Sequence, residues 1–89
     1  MVREVLKITN PSGLDLRPAG FLCKTSMAFH SHITFCFKGS VGNAKSVLSV
    51  LGAGVKYGDS IEIICEGEDE VKALDAIKKA IREGLGEQL

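Results

Sequence analysis

Four short segments of the chain have the residue pattern of β-strands. In the clearest of them, Ile33, Phe35 and Phe37 face one way while Thr34 and Cys36 face the other, which is the period of a strand buried on one face. The predicted strands are Val2–Ile8, Ile33–Phe37, Val41–Ala44 and Ile61–Glu66. Turn-forming residues, among them Asn10-Pro11-Ser12-Gly13, separate them from the segments that follow.

Two helices are predicted from their start signals. Asp15 precedes the first helix and Pro18 falls in its first turn, where a missing N–H costs little because the first amides of a helix have no helical partner. Ser46 opens a short apolar helix, Val47–Leu51, that ends at Gly52.

The last segment has the clearest helical pattern. Its acidic first turn and basic last turn both complement the helix dipole. The acidic residues are Glu68, Asp69 and Glu70, and the basic ones are Lys78, Lys79 and Arg82. The predicted core stripe consists of Val71, Leu74, Ile77 and Ile81. Gly84 is the expected C-cap.

The element order is therefore β-α-β-β-α-β-α, without an internal repeat or a linker. With 89 residues, we expect a single domain over 1–89. Three helices on one face of a four-stranded sheet make a two-layer α+β domain. On the first helix, one face is expected to pack on the sheet: Pro18, Ala19, Leu22, Thr25, Ser26 and Phe29. The opposite face carries Arg17, Gly20, Lys24 and Met27.

Charge and composition exclude several classes of protein. The formal net charge is zero, and no basic stripe with interleaved aromatic residues is present, so direct nucleic-acid binding is not expected. No apolar run has the length of a membrane span, and the first residues lack the apolar core of a secretory signal. We therefore expect a cytoplasmic protein without a membrane partner.

The potential metal ligands are few and scattered. Cys23, Cys36 and Cys65 are an odd number without a C-x-x-C spacing, as expected for small hydrophobic residues in a reducing compartment. His30 and His32 lie two apart at a predicted helix–strand junction, where a surface role is expected. We expect no metal site and no cofactor.

Three separate motifs resemble those of one protein family. Gly13-Leu14-Asp15-Leu16-Arg17-Pro18-Ala19 resembles the active-centre motif of HPr, the phosphocarrier of the bacterial sugar phosphotransferase system, which is normally G-L-H-A-R-P-A. Asn43-Ala44-Lys45-Ser46-Val47-Leu48 resembles the regulatory serine segment of that family, and Gly67-Glu68-Asp69-Glu70 resembles its entry into the last helix. The resemblance covers essentially the whole chain in order and spacing.

The resemblance implies both a fold and a chemistry. The fold is an open-faced β-sandwich, with an antiparallel sheet in the strand order 1-4-2-3 and the helices on one face. In the family, a phosphoryl group passes from phosphoenolpyruvate by way of enzyme I to the histidine, and then to sugar-specific acceptors. Asp15 stands at that histidine position, so phosphohistidine cannot form here. The resemblance also implies an anion site at the helix start, formed by the Leu16 region and the Arg17 guanidinium.

Asp15 is open to three interpretations. It is a good N-cap, worth about 1 kcal/mol over alanine. In a second interpretation, its carboxylate is a permanent negative charge near Arg17. This charge crudely resembles that of a phosphorylated carrier. As a third alternative, Asp15 accepts phosphate as an acyl phosphate, because carboxylates do act as nucleophiles in phosphoryl transfer.

Ser46 also has a structural and a functional interpretation. Serine is a favoured N-cap for structural reasons alone. The resemblance adds that HPr kinase/phosphorylase phosphorylates the matching serine in Gram-positive relatives, and that the product is corepressor for a LacI-type catabolite control regulator. A docking surface for such a partner is predicted at Gly20, Lys24, Met27, Val47, Leu48 and Leu51.

We therefore predict a regulatory protein and not an enzyme. It resembles Crh, an HPr paralogue that lacks the histidine and keeps the serine, although Crh carries glutamine at the acceptor position. Its expected partners are HPr kinase/phosphorylase and a LacI-type regulator or a metabolic enzyme. Enzyme I is a further partner if Asp15 acts as a phosphocarrier, and Leu16 and Gly20 depart from the family pattern where enzyme I would dock. An orphan interaction module without either phosphorylation is the remaining alternative.

Overall fold

The computed structural model describes residues 1–87, and so the last two residues of the predicted domain, 88 and 89, lie outside the described part of the chain. The elements follow one another in the predicted order β-α-β-β-α-β-α. They are β1 (Val2–Lys7), α1 (Leu16–Met27), β2 (His32–Phe37), β3 (Ser40–Asn43), α2 (Val47–Gly52), β4 (Ser60–Glu66) and α3 (Glu70–Arg82). The strand boundaries differ from the predicted ones by a single residue: β1 and β3 end before Ile8 and Ala44, which are both fully buried.

The four strands form one antiparallel sheet in the order β1-β4-β2-β3, as the resemblance implies. In the register of the central pair, Ile33 lies opposite Cys65 and Phe35 lies opposite Ile63. These four side chains are buried beneath the helices. Thr34 and Ile64, which alternate with them, are only half-buried, because the other face of the sheet has no covering layer.

Helix α1 begins as its sequence predicts. Asp15 is the N-cap residue with an extended backbone, and Pro18 and Ala19 are buried in the turn that follows. Farther along, Leu22 and Ser26 are buried as expected, and the Ser26 hydroxyl donates to the carbonyl of Leu22 at 2.8 Å. The helix is therefore positioned by the apolar face that the sequence indicates, and its N-terminus points away from the core into solvent, where Asp15 is exposed.

Helix α3 confirms the dipole pattern only in part and corrects the core stripe. Glu70 lies in its first turn and Lys79 and Arg82 in its last, whereas Glu68 and Asp69 precede the helix. Val71, which was predicted to be in the core, is 59% exposed. The buried residues of α3 are Ala73, Leu74, Ile77, Ala80 and Ile81. The two alanines face the sheet because their short side chains let the helix backbone approach it closely, and this leaves Val71 to one side.

The end of α3 is a Schellman motif. Gly84 has a φ of 91°, and the Leu85 N–H donates to the carbonyl of Ala80 while the Gly84 N–H donates to that of Ile81. Gly84 therefore follows the cap position, which Glu83 occupies. Leu85 is 1% exposed and has a φ of 53°, so the chain beyond the helix returns to the core before it continues toward the start of α1.

No helix within residues 1–87 combines the length and the apolar character needed to cross a membrane.

Candidate functional site

The first turn of α1 places Asp15 at an exposed position. One oxygen of its carboxylate accepts a hydrogen bond from the Leu16 N–H at 2.9 Å, and the Asp15 carbonyl accepts from the Ala19 N–H at 2.8 Å. The Leu16 N–H, which was predicted to bind an external anion, therefore already donates its hydrogen bond to the Asp15 carboxylate. Its remaining oxygen is available to solvent or to a partner.

Asp15 lies beside the end of α2. Together with Ser12, Leu51 and Lys56, it lines a shallow depression between the two helices. The loop before α1 is held in place because the Leu14 N–H donates to the carbonyl of Val55 at 2.9 Å. The structure thus brings the predicted acceptor position and one predicted docking residue, Leu51, to the same surface.

Arg17 is exposed and does not line the depression beside Asp15. It lines an open cleft of ≈ 630 Å³ with Phe21, Leu85, Gly86 and Glu87. No ion pair joins Arg17 to an acidic side chain within residues 1–87. Anion binding by the guanidinium therefore stays a prediction, and its neighbours in the cleft come from the C-terminal segment, which the sequence did not indicate.

Ser46 is the N-cap of α2 and is half-buried. Its hydroxyl oxygen accepts from the Ser49 N–H at 3.2 Å, and the Ser46 carbonyl accepts from the Val50 N–H at 3.1 Å. The structural interpretation of this serine is therefore correct. It does not exclude modification, because the hydroxyl hydrogen is not needed for the cap.

Contacts that the sequence did not predict fasten the Ser46 segment to α1. The Cys23 thiol donates to the carbonyl of Lys45 at 3.2 Å and lies 3.7 Å from the Met27 sulfur. The Lys45 ammonium donates to the carbonyl of Phe29 at 2.7 Å. Nothing in the local pattern of the chain indicates these pairings, because they join residues 16 and 22 positions apart. They bring Met27 to the start of α2.

The predicted docking residues form a discontinuous apolar surface on α1 and α2. Leu48 is 77% exposed and Met27 is 65% exposed, whereas Val47 and Leu51 are half-buried against the core. Gly20 lies open on α1, since a Cβ there would have no neighbour within 4 Å. Lys24 is exposed on the same helix and forms no ion pair in the described part of the chain. Leu16, at the first position of α1, is also 62% exposed.

Glu87 is a residue near this site that the sequence analysis missed. Its carboxylate accepts from the Asn10 amide at 2.7 Å, from the Ser12 N–H at 3.0 Å and from the Ser12 hydroxyl at 2.7 Å. The hydrogen bonds from Ser12 and Asn10, with a smaller effect of the Arg17 charge, hold the pKa of Glu87 below its ordinary value. A contact across 75 residues has no signal in local periodicity.

The possible metal ligands do not converge. Among residues 1–87, no three His, Cys, Asp or Glu side chains lie close enough together to hold a metal ion. All three cysteines are free thiols, and burial is the main cause that raises the pKa of Cys65. His30 and His32 are exposed on either side of the buried Ser31.

Comparison with known proteins identifies relatives along nearly the whole chain. Residues 2–83 match the family model described as the PTS HPr component phosphorylation site. The chain is 36% identical to the phosphocarrier protein HPr of Buchnera aphidicola over 83 residues, which are 93% of this chain and 98% of the relative.

Solved structures agree with this relationship. HPr-C-His from Thermoanaerobacter tengcongensis superposes with a TM-score of 0.95 at 32% identity, and the match covers all of both chains. Crh, a catabolite repression protein from Bacillus subtilis, superposes with a TM-score of 0.75 at 29% identity, over 93% of this chain and 95% of that one. The fold and the family that the three motifs indicated are thereby confirmed.

Proposed function

Because the chain belongs to the HPr family of phosphocarrier proteins of the phosphotransferase system, we propose that it is a regulatory member, phosphorylated on Ser46 and acting by protein–protein binding. The observation that carries this proposal is the exposed Asp15 carboxylate at the N-cap of α1, where the family has its phosphorylatable histidine. Without an imidazole at this position, the serine of the second motif is the best remaining site for a signal.

The geometry of Asp15 supports a role as a fixed charge. Its carboxylate accepts from the Leu16 N–H and faces solvent in the first turn of α1, where the helix dipole favours a negative charge. A carboxylate held there presents an anion to a partner at all times. A phosphohistidine, by contrast, presents its charge only while the carrier is loaded.

The surroundings of Ser46 support a role as the input. A phosphate brings about −1.5 to −2 charges to the residue. Since Ser46 is half-buried at the surface and its segment is fastened to α1 through Lys45, the charge is added to a surface that is already ordered. The modification therefore changes the surface charge without requiring a new fold.

The output is binding through the apolar residues next to that charge. Leu48 and Met27 are largely exposed, and exposed apolar residues grouped beside a charged group are typical of interaction surfaces. A LacI-type regulator or a metabolic enzyme would contact these two residues together with Arg17. We place this interaction in the cytoplasm, where an ATP-dependent kinase acts.

Incubation with an HPr kinase/phosphorylase and ATP, followed by mass spectrometry, tests the proposal. We expect one phosphate on the wild type and none on Ser46→Ala. The matched control is Ser40→Ala, which removes an exposed hydroxyl on β3 and is expected to leave phosphorylation unchanged. An unmodified wild type, in a reaction that phosphorylates an authentic HPr, would remove the central support.

The exposure of Asp15 favours a second candidate, a phosphocarrier that uses this carboxylate. Incubation with phosphoenolpyruvate and enzyme I distinguishes the two. An acyl phosphate on Asp15 is cleaved by hydroxylamine, whereas phosphoserine is not. If Asp15 becomes phosphorylated at a rate comparable to that of an intact HPr, the phosphocarrier function replaces the regulatory one.

A further inference from the structure

The C-terminal segment folds back beside Arg17. Leu85 is fully buried in the core, and the Gly86 backbone lies so close to Phe21 that a Cβ at Gly86 would be 2.9 Å from its ring. Glu87 then reaches the loop before α1. We define Leu85–Glu87 as the strap. The strap lines the same cleft as Arg17, so it limits access to the guanidinium from that side.

The strap ends in a charged clamp. Both carboxylate oxygens of Glu87 are engaged, one by the Asn10 amide and the Ser12 N–H, the other by the Ser12 hydroxyl. Asn10 is 1% exposed, and its amide also donates to the carbonyl of Gly13, two residues before Asp15. The clamp therefore fixes the loop that positions Asp15 as well as the strap itself.

The clamp keeps a negative charge in the cleft without neutralising Arg17. Because Asn10 and Ser12 take up the Glu87 oxygens, and Arg17 has no ion pair within residues 1–87, the guanidinium lies near an anion that it does not bind directly. An incoming anion such as a phosphate is thus attracted by Arg17 but repelled by Glu87. The net effect of the strap is to weaken anion binding.

We propose that the strap is an autoinhibitory element, in which Glu87 clamps Asn10 and Ser12 and so lowers the affinity of the Arg17 face for anionic groups of a partner. Lifting Glu87 from the loop removes the repelling charge and opens the cleft. This inference rests on the role proposed above for Arg17, and it concerns the control of that role rather than the phosphorylation of Ser46.

Titration of the ¹⁵N-labelled full-length protein with inorganic phosphate tests the proposal, with the side-chain Nε–H of Arg17 as the reporter. We expect Glu87→Gln to bind phosphate roughly three- to fivefold more tightly than the wild type, the range for removing one partly screened charge beside another. Faster amide exchange at Ser12 would accompany it, because its N–H loses a charged acceptor.

Two further variants separate the clamp from a simple change in net charge. Glu83→Gln removes an exposed charge from the end of α3 and is expected to leave phosphate binding unchanged. Ser12→Ala keeps every charge but removes one hydrogen bond of the clamp, so it is expected to give an intermediate increase.

Equal phosphate affinity in wild type and Glu87→Gln overturns the proposal, as does the absence of any phosphate effect on Arg17 in both proteins. Equal gains in Glu83→Gln and Glu87→Gln overturn it as well. The titration needs no kinase and no partner protein. A failure of Ser46 phosphorylation would therefore be seen in a separate experiment and would leave this result unaffected.

Discussion

The Asp69 carboxylate accepts hydrogen bonds from both the backbone N–H and the hydroxyl of Ser31, 38 residues earlier in the chain. It also accepts from the His30 N–H at 2.9 Å, and it forms no side-chain hydrogen bond with the first turn of its own helix, α3. The acidic residue that the sequence assigned to the helix dipole therefore fastens the loop between α1 and β2 to the start of α3.

Removal of the Ser31 hydroxyl tests the strength of this connection. Ser31 is 1% exposed, so Ser31→Ala is expected to lower the free energy of unfolding by about 1–2 kcal/mol, the cost of losing a hydrogen bond to a charged group. Urea unfolding measures this change. Ser60→Ala, at the exposed start of β4, serves as the control, and an equal loss in both variants would contradict the assignment.

The same contact predicts a pH dependence of stability. The Ser31 hydroxyl, and next the His30 N–H, lower the pKa of Asp69 from 3.8 to about 2. Folding thus lowers the pKa, so the stabilisation is complete above the ordinary carboxyl pKa and is lost as the pH falls from about 4 toward 2. The stability difference between wild type and Asp69→Asn is expected to shrink across this window. A difference that stays constant from pH 6 down to pH 2 would contradict the pKa shift.

Restoring histidine at the acceptor position should restore phosphoryl acceptance. Asp15→His keeps the exposed first turn of α1 and the neighbouring Arg17. We expect phosphoenolpyruvate and enzyme I to phosphorylate this variant on the order of a hundredfold faster than the wild type, the factor lost when a reacting group is misplaced. Mass spectrometry at high pH follows the acid-labile product. A variant that stays unphosphorylated would show that Leu16 and Gly20 have altered the surface on which enzyme I docks.

Leu48 should contribute to binding and not to folding. It is 77% exposed, so Leu48→Asp is expected to change the free energy of unfolding by less than about 0.5 kcal/mol. Binding of the Ser46-phosphorylated protein to an immobilised LacI-type regulator is expected to weaken at least about tenfold, as for a central interface residue. Val41→Asp, at a residue 68% exposed on β3, is the control that should bind normally.

Two glycines should respond in opposite ways to replacement by alanine. A Cβ at Gly20 meets no atom within 4 Å, and Gly20→Ala within α1 is expected to stabilise the protein by about 0.5–1 kcal/mol. A Cβ at Gly42 would overlap the Phe35 ring and lie 2.8 Å from the Ser49 hydroxyl, so Gly42→Ala is expected to destabilise by about 1–3 kcal/mol. Thermal unfolding compares both with the wild type. Stabilisation by Gly42→Ala would mean that β3 and α2 pack less tightly than the structure has them.

Features that depend on neighbouring residues were predictable from the sequence. The start of α1 follows from Asp15 and Pro18, because capping and the fixed backbone of proline act within one turn. The alternation at Ile33 and Phe35 likewise gave the buried face of β2. The strand order, by contrast, came only from the family resemblance, since periodicity carries no information about which strands pair.

The prediction for Val71 failed for a physical reason. The core stripe of α3 was predicted from its large apolar residues alone, whereas the small residues Ala73 and Ala80 also face the sheet. With 3.6 residues per turn, Val71 lies about 150° from the middle of the face that these alanines share with Ile77. The contacts of Asp69 with Ser31 and of Glu87 with Ser12 were beyond prediction for another reason, since each joins segments that only the complete fold brings together.

The burial of Leu85 limits how far Gly86 and Glu87 can move. Its side chain is in the core, and its N–H is bonded to the carbonyl of Ala80, so detachment of Glu87 leaves the residues before it tethered. Motion of Gly86 and Glu87 is thereby restricted to the short segment beyond Leu85, and it leaves the packing of α3 unchanged. The side chain at position 87 can therefore change its contacts while Leu85 continues to fill the core.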